Sequence, residues 1–376
     1  MQCPYNQICG GCSYRHLNDD DYHNHKISML RQVLEKINQQ GCKFNSPYFV
    51  PDGQRRRASF NFSCSGKKLS LGFNQNSSHK LVNIDSCLLL TPQINNILNP
   101  LRTLLWELCS QTYSIKIGKK LIRKNISGGD VFVCQADNGI DIVLEYDAPV
   151  DVNARMIIAD FLQSDNNVIR ISHRRRINDF AEILLQKATP VIQMGKYSVK
   201  IPAGTFLQAS AAGEQALASV VVQYLQGTKG QIADLFCGVG TFSYYINSAI
   251  PDVKITAVDS DEDLLQGFKN SCDANQITNI AIKRQNLFKY PLTADEIANF
   301  NAIIFDPPRA GAKEQCRQIA RTERKPETIV AVSCNPLTFV YDANILIASG
   351  YRLQELTFVD QFTYSEHSEL VALFKI

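Results

Sequence analysis

The chain has 376 residues, 45% hydrophobic and 20% charged, proportions that suit a globular protein of two or three domains. No stretch approaches the roughly 20 uninterrupted apolar residues of a membrane span, and the opening MQCPYNQICGGC lacks the basic-then-apolar layout of a secretory leader. The sequence therefore reads as a cytoplasmic monomer with no membrane partner, whose twelve cysteines serve as metal ligands, catalytic thiols or small core residues rather than disulfides.

The net charge of +3 hides an asymmetry: up to residue 200, 25 Lys and Arg stand against 17 Asp and Glu, and beyond it 14 stand against 19. A basic half joined to an acidic one suits a polyanion-binding module beside a catalytic one. Two unrelated surfaces would give the same count.

Residues 1–92 form a cysteine-rich region with the basic triplet Arg55, Arg56, Arg57 and alternating runs ASFNFS and KLSLGF, which read as strands. Residues 93–195 combine helical patterns, INNILNPLRTLLWELC and VDVNARMIIADFLQ, with strands VFVCQ, DIVLEY and NVIRIS, an α+β module. From 196 to 376 short apolar strands alternate with helices: QIADLF, KITAVD, NAIIFD, TIVAVS, then LQELTFVDQF and ELVALFKI. That alternation predicts an α/β, Rossmann-like doubly wound, mostly parallel sheet, preceded by the α+β region. In such sheets ligands sit at the C-terminal strand ends, where the motifs below fall.

Asp234-Leu-Phe236-Cys-Gly238-Val-Gly240-Thr241 follows a strand and opens a helix, so its glycines let the backbone approach a ligand at the helix N-terminus. The third position of a dinucleotide G-x-G-x-x-G fingerprint is Ser243, which weakens a nicotinamide reading, and D-L-F-C-G-x-G resembles the first motif of S-adenosylmethionine-dependent methyltransferases more than that fingerprint. The next strand ends on Asp259, placed to reach ribose hydroxyls or to cap a turn. Asn286 in KRQNLF is placed to meet an adenine edge or to make a turn, and Phe206 and Gln208 in IPAGTFLQAS precede the helix entering this region.

The strand NAIIF runs into Asp306-Pro307-Pro308-Arg309, where two prolines stiffen the loop and hold the carboxylate in place. TIVAVS delivers Cys334 in Ser333-Cys-Asn-Pro336. A cysteine after an apolar run is commonly core; its place beside the D-P-P loop favours a nucleophile. Glu369, in Thr363-Tyr-Ser-Glu-His367-Ser-Glu369, is the general-base candidate, with Glu366 and His367 as competitors. Alternation predicts His367 and Glu369 on one strand face.

From Phe206 onward, F-x-Q, D-L-F-C-G-x-G, D-P-P-R, S-C-N-P and the late H-x-E resemble, in order, the RNA uracil-5 methyltransferases that modify transfer and ribosomal RNA. The resemblance implies Cys334 as nucleophile, Glu369 as base, and Gln208, Phe236, Thr241, Asp259, Asn286 and Asp306 around S-adenosylmethionine. Thr241 stands where Asn is common and Asp259 where Glu is common, and both keep hydrogen-bonding capacity. The chemistry explains the residue types. C5 of uracil becomes nucleophilic once a thiolate adds to C6, and a base must later remove the C5 proton. RNA cytosine-5 methyltransferases place a second cysteine in the loop where this sequence has Asp306-Pro-Pro-Arg309, and adenine-N6 methylation places an aromatic where Arg309 stands. A non-catalytic iron–sulfur RNA-binding protein would need neither Cys334 nor Glu369.

Cys3, Cys9 and Cys12 form C-x5-C-x2-C around Gly10 and Gly11, and Cys87 is the expected fourth ligand. Four thiolates suit a [4Fe-4S] cluster or structural zinc. The family's cluster-bearing members share this spacing, so the resemblance implies [4Fe-4S], closed by four cysteines and not set up for radical chemistry; Cys42, Cys64, Cys109 and Cys134 are the alternative fourth ligands. RNA contacts are expected from Arg55 to Arg57, Lys67, Lys68, Lys119, Lys120, Arg123, Lys124 and Arg174 to Arg176, beside Phe60, Phe62 and Phe73, on an unstacked or flipped uridine. Family members often carry a small β-barrel before the cysteines; the cluster starts at residue 3, which points to 23S ribosomal RNA ahead of transfer RNA.

Overall fold

A computed structural model describes residues 3–39, 41–66, 68–76, 78–117, 120–164, 167–177 and 179–376, with the side chains of 115–122 excluded. By packing, the chain forms two interleaved units rather than three consecutive segments: Met1–His16 with Pro51–Ile192 and Ile201–Ser210, and Leu17–Val50 with Gln193–Lys200 and Ala211–Ile376. Leu17–Val50 leaves the cysteine-rich region because its helix and two short strands pack and pair inside the second unit.

The first unit is a seven-stranded sheet in the order Glu182–Gln186, Val168–Arg174, Gly139–Glu145, Gly128–Ala136, Arg57–Ser65, Lys68–Asn74, Leu81–Asn83. Helices Pro92–Ser110 and Val152–Ser164 cover it. In the first helix Ile94, Ile97, Leu98, Leu101, Leu104, Leu105 and Leu108 recur at three- and four-residue steps, so one apolar stripe meets Phe60, Phe62, Val131 and Leu144 from alternating strand positions. Phe60 and Phe62 are therefore core residues, unavailable to RNA. Arg170 is buried against Asp141, donating through Nε at 2.8 Å and Nη2 at 2.7 Å, and to the carbonyls of Ile201 and Pro202. Its charge is thus compensated within the unit.

The second unit is a nine-stranded sheet. Five parallel strands run in the order Thr328–Ser333, Ala302–Phe305, Gln231–Leu235, Lys254–Asp259, Ile280–Arg284. The hairpin Arg352–Asp360 and Glu369–Lys375 extends it antiparallel beyond Thr328–Ser333, and Lys43–Phe44 and Tyr48–Phe49 pair parallel to the outer hairpin strand. The order reverses at Gln231–Leu235, whose neighbours are the fourth and second parallel strands, so the switch point lies between Gln231–Leu235 and Ala302–Phe305. The expected doubly wound α/β domain is present. Among the described residues no helix is long and apolar enough to cross a membrane.

Candidate active site

All but one of the expected cofactor and reaction residues fall in the second unit: Phe236, Asp259, Asn286, Asp306 and Cys334 at or just past the C-terminal ends of its parallel strands, Thr241 at the start of the helix after the first of them, and Glu369 at the start of the antiparallel strand Glu369–Lys375. The exception, Gln208, belongs to the first unit, where it is buried and its carbonyl accepts from Arg56 Nε at 3.1 Å.

The turn after Gln231–Leu235 is built by backbone geometry. Phe236 takes a φ of 63° and its N–H donates to the Val258 carbonyl at 2.9 Å. Gly240 has a φ of 89°, and a Cβ there would lie 2.2 Å from the Phe268 ring, so only glycine fits. Thr241 then starts the helix Thr241–Ala249. Asp259 accepts from the Gly238 N–H at 2.9 Å and from the N–H groups of Ser260 and Asp261 at 2.6 and 3.0 Å. Its carboxylate thus joins the two strand ends while keeping lone pairs for a diol. The helix after it is capped by Asp261. Asn286 Oδ1 takes the N–H groups of Phe288 and Lys289, both at 3.1 Å, which commits its oxygen to the turn. Beyond these ends lies a depression of ≈ 830 Å³ bordered by Ser260, Gln285, Asn286, Lys289 and Tyr290.

Asp234, which sequence reasoning passed over, is a further candidate at this strand end. It is buried, its Oδ2 accepts from Ser243 Oγ at 2.6 Å, and its Oδ1 has no hydrogen-bond partner. Ser243, the residue that breaks the dinucleotide fingerprint, therefore orients this carboxylate. Asp306 leaves the neighbouring strand end, its N–H donating to the Leu235 carbonyl at 3.2 Å. Burial pushes both carboxyls up to about 7, and the charge of Asp234 contributes to the rise at Asp306. Two acids flanking the switch point, Asp234 buried with an unmatched oxygen and Asp306 half-buried, fit a cationic ligand such as a sulfonium or ammonium group. The signal in the sequence was the acid heading D-L-F-C-G.

Cys334 and Glu369 meet by register. Ser333 pairs with Leu370 across the antiparallel ladder, so the next residues outward are Cys334 and Glu369. Glu369 is buried, and Gln361 Nε2 donates to its Oε1 at 3.3 Å. Burial, then the charges of Glu369 and Asp306, push the Cys334 thiol up to about 12, against a lowering by Arg309. Cysteine, glutamate and aspartate thus share one electrostatic neighbourhood. The Cys334 loop is tied to the D-P-P loop: Asn335 Nδ2 and Thr338 Oγ1 donate to the Arg309 carbonyl at 3.0 and 3.2 Å, and Asp342 Oδ2 takes the Ala312 N–H at 2.8 Å. His367 does not share a face with Glu369. The strand begins only at Glu369, and His367 and Glu366 lie exposed in the preceding loop.

In the first unit, Cys3, Cys9, Cys12 and Cys87 are half-buried free thiols. Gly10 packs so tightly on Asn74 and Asn76 that a Cβ would meet their backbone at 2.8–2.9 Å. Burial raises the thiols of Cys9, Cys12 and Cys87, with smaller contributions from other members of the four: Cys3 on Cys9, Cys87 and Cys9 on Cys12, Cys9 and Cys3 on Cys87. Among the described residues no group of three or more His, Cys, Asp or Glu side chains is arranged to hold a metal ion. Of the basic candidates, Arg56 is buried, Arg57 lies 3.9 Å from the ring of exposed Phe206, and Arg174 pairs with Glu145 at 2.9 Å. Lys68, Arg123, Lys124, Arg175 and Arg176 are exposed, while Lys67 and Lys119 lie outside the described residues.

A sequence model described as tRNA (Uracil-5-)-methyltransferase matches residues 19–375. The chain belongs to this family. It is a S-adenosylmethionine-dependent RNA uracil-5-methyltransferase. An uncharacterized RNA methyltransferase of Agrobacterium fabrum is 33% identical over 371 residues, covering 98% of this chain and 82% of its own. The 23S rRNA (uracil(1939)-C(5))-methyltransferase RlmD of Shewanella sp. is 28% identical over 387 residues, covering all of this chain and 81% of its own. Among solved structures, the tRNA (uracil-54, C5)-methyltransferase of Pyrococcus abyssi in complex with S-adenosyl-L-homocysteine superposes with a TM-score of 0.73 at 21% identity, covering 98% of this chain and 86% of that one, a shared fold.

The raised carboxyls predict how cofactor affinity follows pH. A cation favours the ionised forms of Asp234 and Asp306, which are partly protonated near neutrality without it. S-adenosylmethionine should therefore bind tighter as pH rises through 7 and level off above. Each coupled carboxyl weakens binding by about tenfold at one pH unit below its midpoint. Calorimetric titration from pH 6 to 8.5 checks this; a flat profile would show that neither acid faces the cation.

Proposed function

We propose that Cys334 and Glu369 carry out methylation of C5 of a uridine through a covalent intermediate, and that the substrate is 23S ribosomal RNA. The observation that carries the first part is the convergence of Cys334, Glu369 and Asp306 at adjoining strand ends. The relative named for 23S rRNA supports the second; a transfer-RNA uridine is the alternative, which the family description favours.

Gln208, Phe236, Thr241, Asp259, Asn286 and Asp306 are the proposed cofactor contacts, joined by Asp234. When bound, S-adenosylmethionine supplies an electrophilic methyl group. The Cys334 sulfur bonds to C6 of the uracil, and the electron pair of the C5=C6 bond moves through the ring to make C5 nucleophilic. After C5 is methylated, Glu369 takes the C5 proton, the C5=C6 bond re-forms and the C6–S bond breaks, returning the thiolate. A neutral thiol must first release its proton, for which solvent at the half-buried Cys334 is the acceptor, and Glu369 and Asp306 both oppose that in the free protein. The approach of the cofactor's positive charge relieves this opposition.

Cys3, Cys9, Cys12 and Cys87 are proposed to hold a [4Fe-4S] cluster. Support comes from four mutually interacting thiols and from the cations Arg15 and Arg55 beside Cys12 and Cys87, which suit a negatively charged cluster. A zinc ion would draw all four sulfurs to about 2.3 Å from one centre, whereas a cube spreads its ligands over a larger body.

Nucleoside analysis after incubation with labelled cofactor and undermethylated ribosomal or transfer RNA tests the reaction. Cys334→Ala should reduce 5-methyluridine to background. Glu369→Gln should slow turnover by roughly 10²–10⁴-fold and accumulate a denaturation-resistant RNA adduct; full activity in Cys334→Ala, or methyl found only on cytosine, contradicts the proposal. Separately, anaerobically prepared protein should contain iron and acid-labile sulfide, and Cys87→Ala should lose both. Zinc in their place, or iron retained by that variant, overturns the ligand assignment.

A further inference from the structure

The base carboxylate sits at the end of a loop that the N-terminal helix Asp19–Leu34 holds from below. This loop, residues 361–368, joins the two antiparallel strands of the second unit, beginning at Gln361 and ending against Glu369. Gln361 is the donor to Glu369 Oε1, so the loop's two ends are the two sides of the hydrogen bond that orients the base.

Three buried side chains fix the loop. Lys26, 1% exposed, donates from Nζ to the Ser365 carbonyl at 2.9 Å and to the His367 carbonyl, and lies 3.7 Å from Asp360 Oδ1. Tyr22, also 1% exposed, donates its hydroxyl to Asp360 Oδ2, and the same hydroxyl accepts the Tyr364 N–H at 2.7 Å. The Tyr22 and Tyr364 rings stack with centroids 4.5 Å apart, and Tyr364 holds a left-handed φ of 60°. The Tyr364 hydroxyl returns to Asp19 of the helix, and Thr363 Oγ1 donates to the Val50 carbonyl at 2.7 Å.

Burying a lysine ammonium is costly unless it is paired and hydrogen-bonded. An apolar side chain would fill the same space at the helix face, so packing alone does not call for a cation here. What the ammonium adds is a fixed point two residues before Glu369, through the carbonyl of His367, and one residue before Gln361, through Asp360. We propose that Lys26, with Tyr22 and Asp360, is a positioning residue for Glu369, setting the carboxylate where it can take the C5 proton. The set acts on the second half of the reaction and leaves thiolate addition untouched, because Cys334 is held by other contacts, from Asn335 and Thr338 to the D-P-P loop.

The inference rests on Glu369 as base, and the test separates the two. Full-length wild type, Lys26→Met, Tyr22→Phe and Glu369→Gln are incubated with cofactor and undermethylated RNA, and the ratio of denaturation-resistant RNA adduct to released 5-methyluridine is measured. The ratio is taken only over molecules that have reacted, so loss of folded protein does not change it. Displacing the base by an ångström or so should slow product release by roughly a hundredfold, so Lys26→Met should raise the ratio in the direction of Glu369→Gln, Tyr22→Phe should raise it less, and Lys26→Arg should restore it in part. A wild-type ratio in Lys26→Met, or in Tyr22→Phe if Lys26→Met yields no folded protein, overturns the positioning role while adduct in Glu369→Gln keeps the base assignment. Absence of adduct in Glu369→Gln defeats the base assignment itself, and the positioning role with it.

Discussion

The gathering of three acids at the C-terminal edge of the parallel sheet is the constraint on which the rest of the second unit depends. Asp234, Asp306 and Glu369 are delivered to one edge, Asp234 and Glu369 buried and Asp306 half-buried. Burial raises the carboxyls of Asp234 and Asp306, the charge of Asp234 adds to the rise at Asp306, and Glu369 and Asp306 add to the rise of the thiol beside them. Nothing in the first turn after Gln231–Leu235 supplies a compensating side-chain cation: its residues are Phe236, Cys237, Gly238, Val239 and Gly240. A protein held in this state is prepared for a positively charged ligand. The fold's task is to keep the acids in place until it arrives.

Several features follow from that task. Ser243 and the Asp259 carboxylate spend their hydrogen bonds on fixing Asp234 and the glycine turn. Asn335, Thr338 and Asp342 tie the Cys334 loop to the D-P-P loop. The antiparallel hairpin at the sheet edge exists in register with Thr328–Ser333, and that register sets Glu369 opposite Cys334. The interleaving of the units has the same logic. The helix Asp19–Leu34 is remote in sequence but braces the hairpin loop from which Glu369 emerges.

Much of this was legible in the sequence where chemistry and local pattern coincide. Apolar runs of four to six residues ending on Asp259, Asp306 or Cys334 announce parallel strands with their polar residues at the ligand edge. Glu369 followed from the start of the last apolar run. Contacts made by lone polar residues across some 340 positions were not legible: Lys26 and Tyr22 sit on a helix with three acids in its first turn, and no local pattern says that they face residues 360–367. The same holds for Asp234, whose place in a familiar run drew attention to the glycines. Phe60, Phe62 and Arg56 misled in the opposite sense. Alternation marks a strand, but only the packing of Pro92–Ser110 shows which face is inside. His367 failed for a related reason, since the alternation of the last strand does not extend back through the loop.

We propose that the positive charge of the cofactor, and not its bulk, completes the site and makes Cys334 ionisable. The most direct measurement is a pH titration of thiolate absorbance, taken as the difference between the protein and its Cys334→Ala variant, in the presence of S-adenosylmethionine or the uncharged-sulfur product S-adenosylhomocysteine. The titration of Cys334 should begin from about 12 in the free protein, fall with the sulfonium compound and stay high with the thioether. Equal midpoints with the two ligands, or a midpoint near neutrality with neither bound, would contradict it.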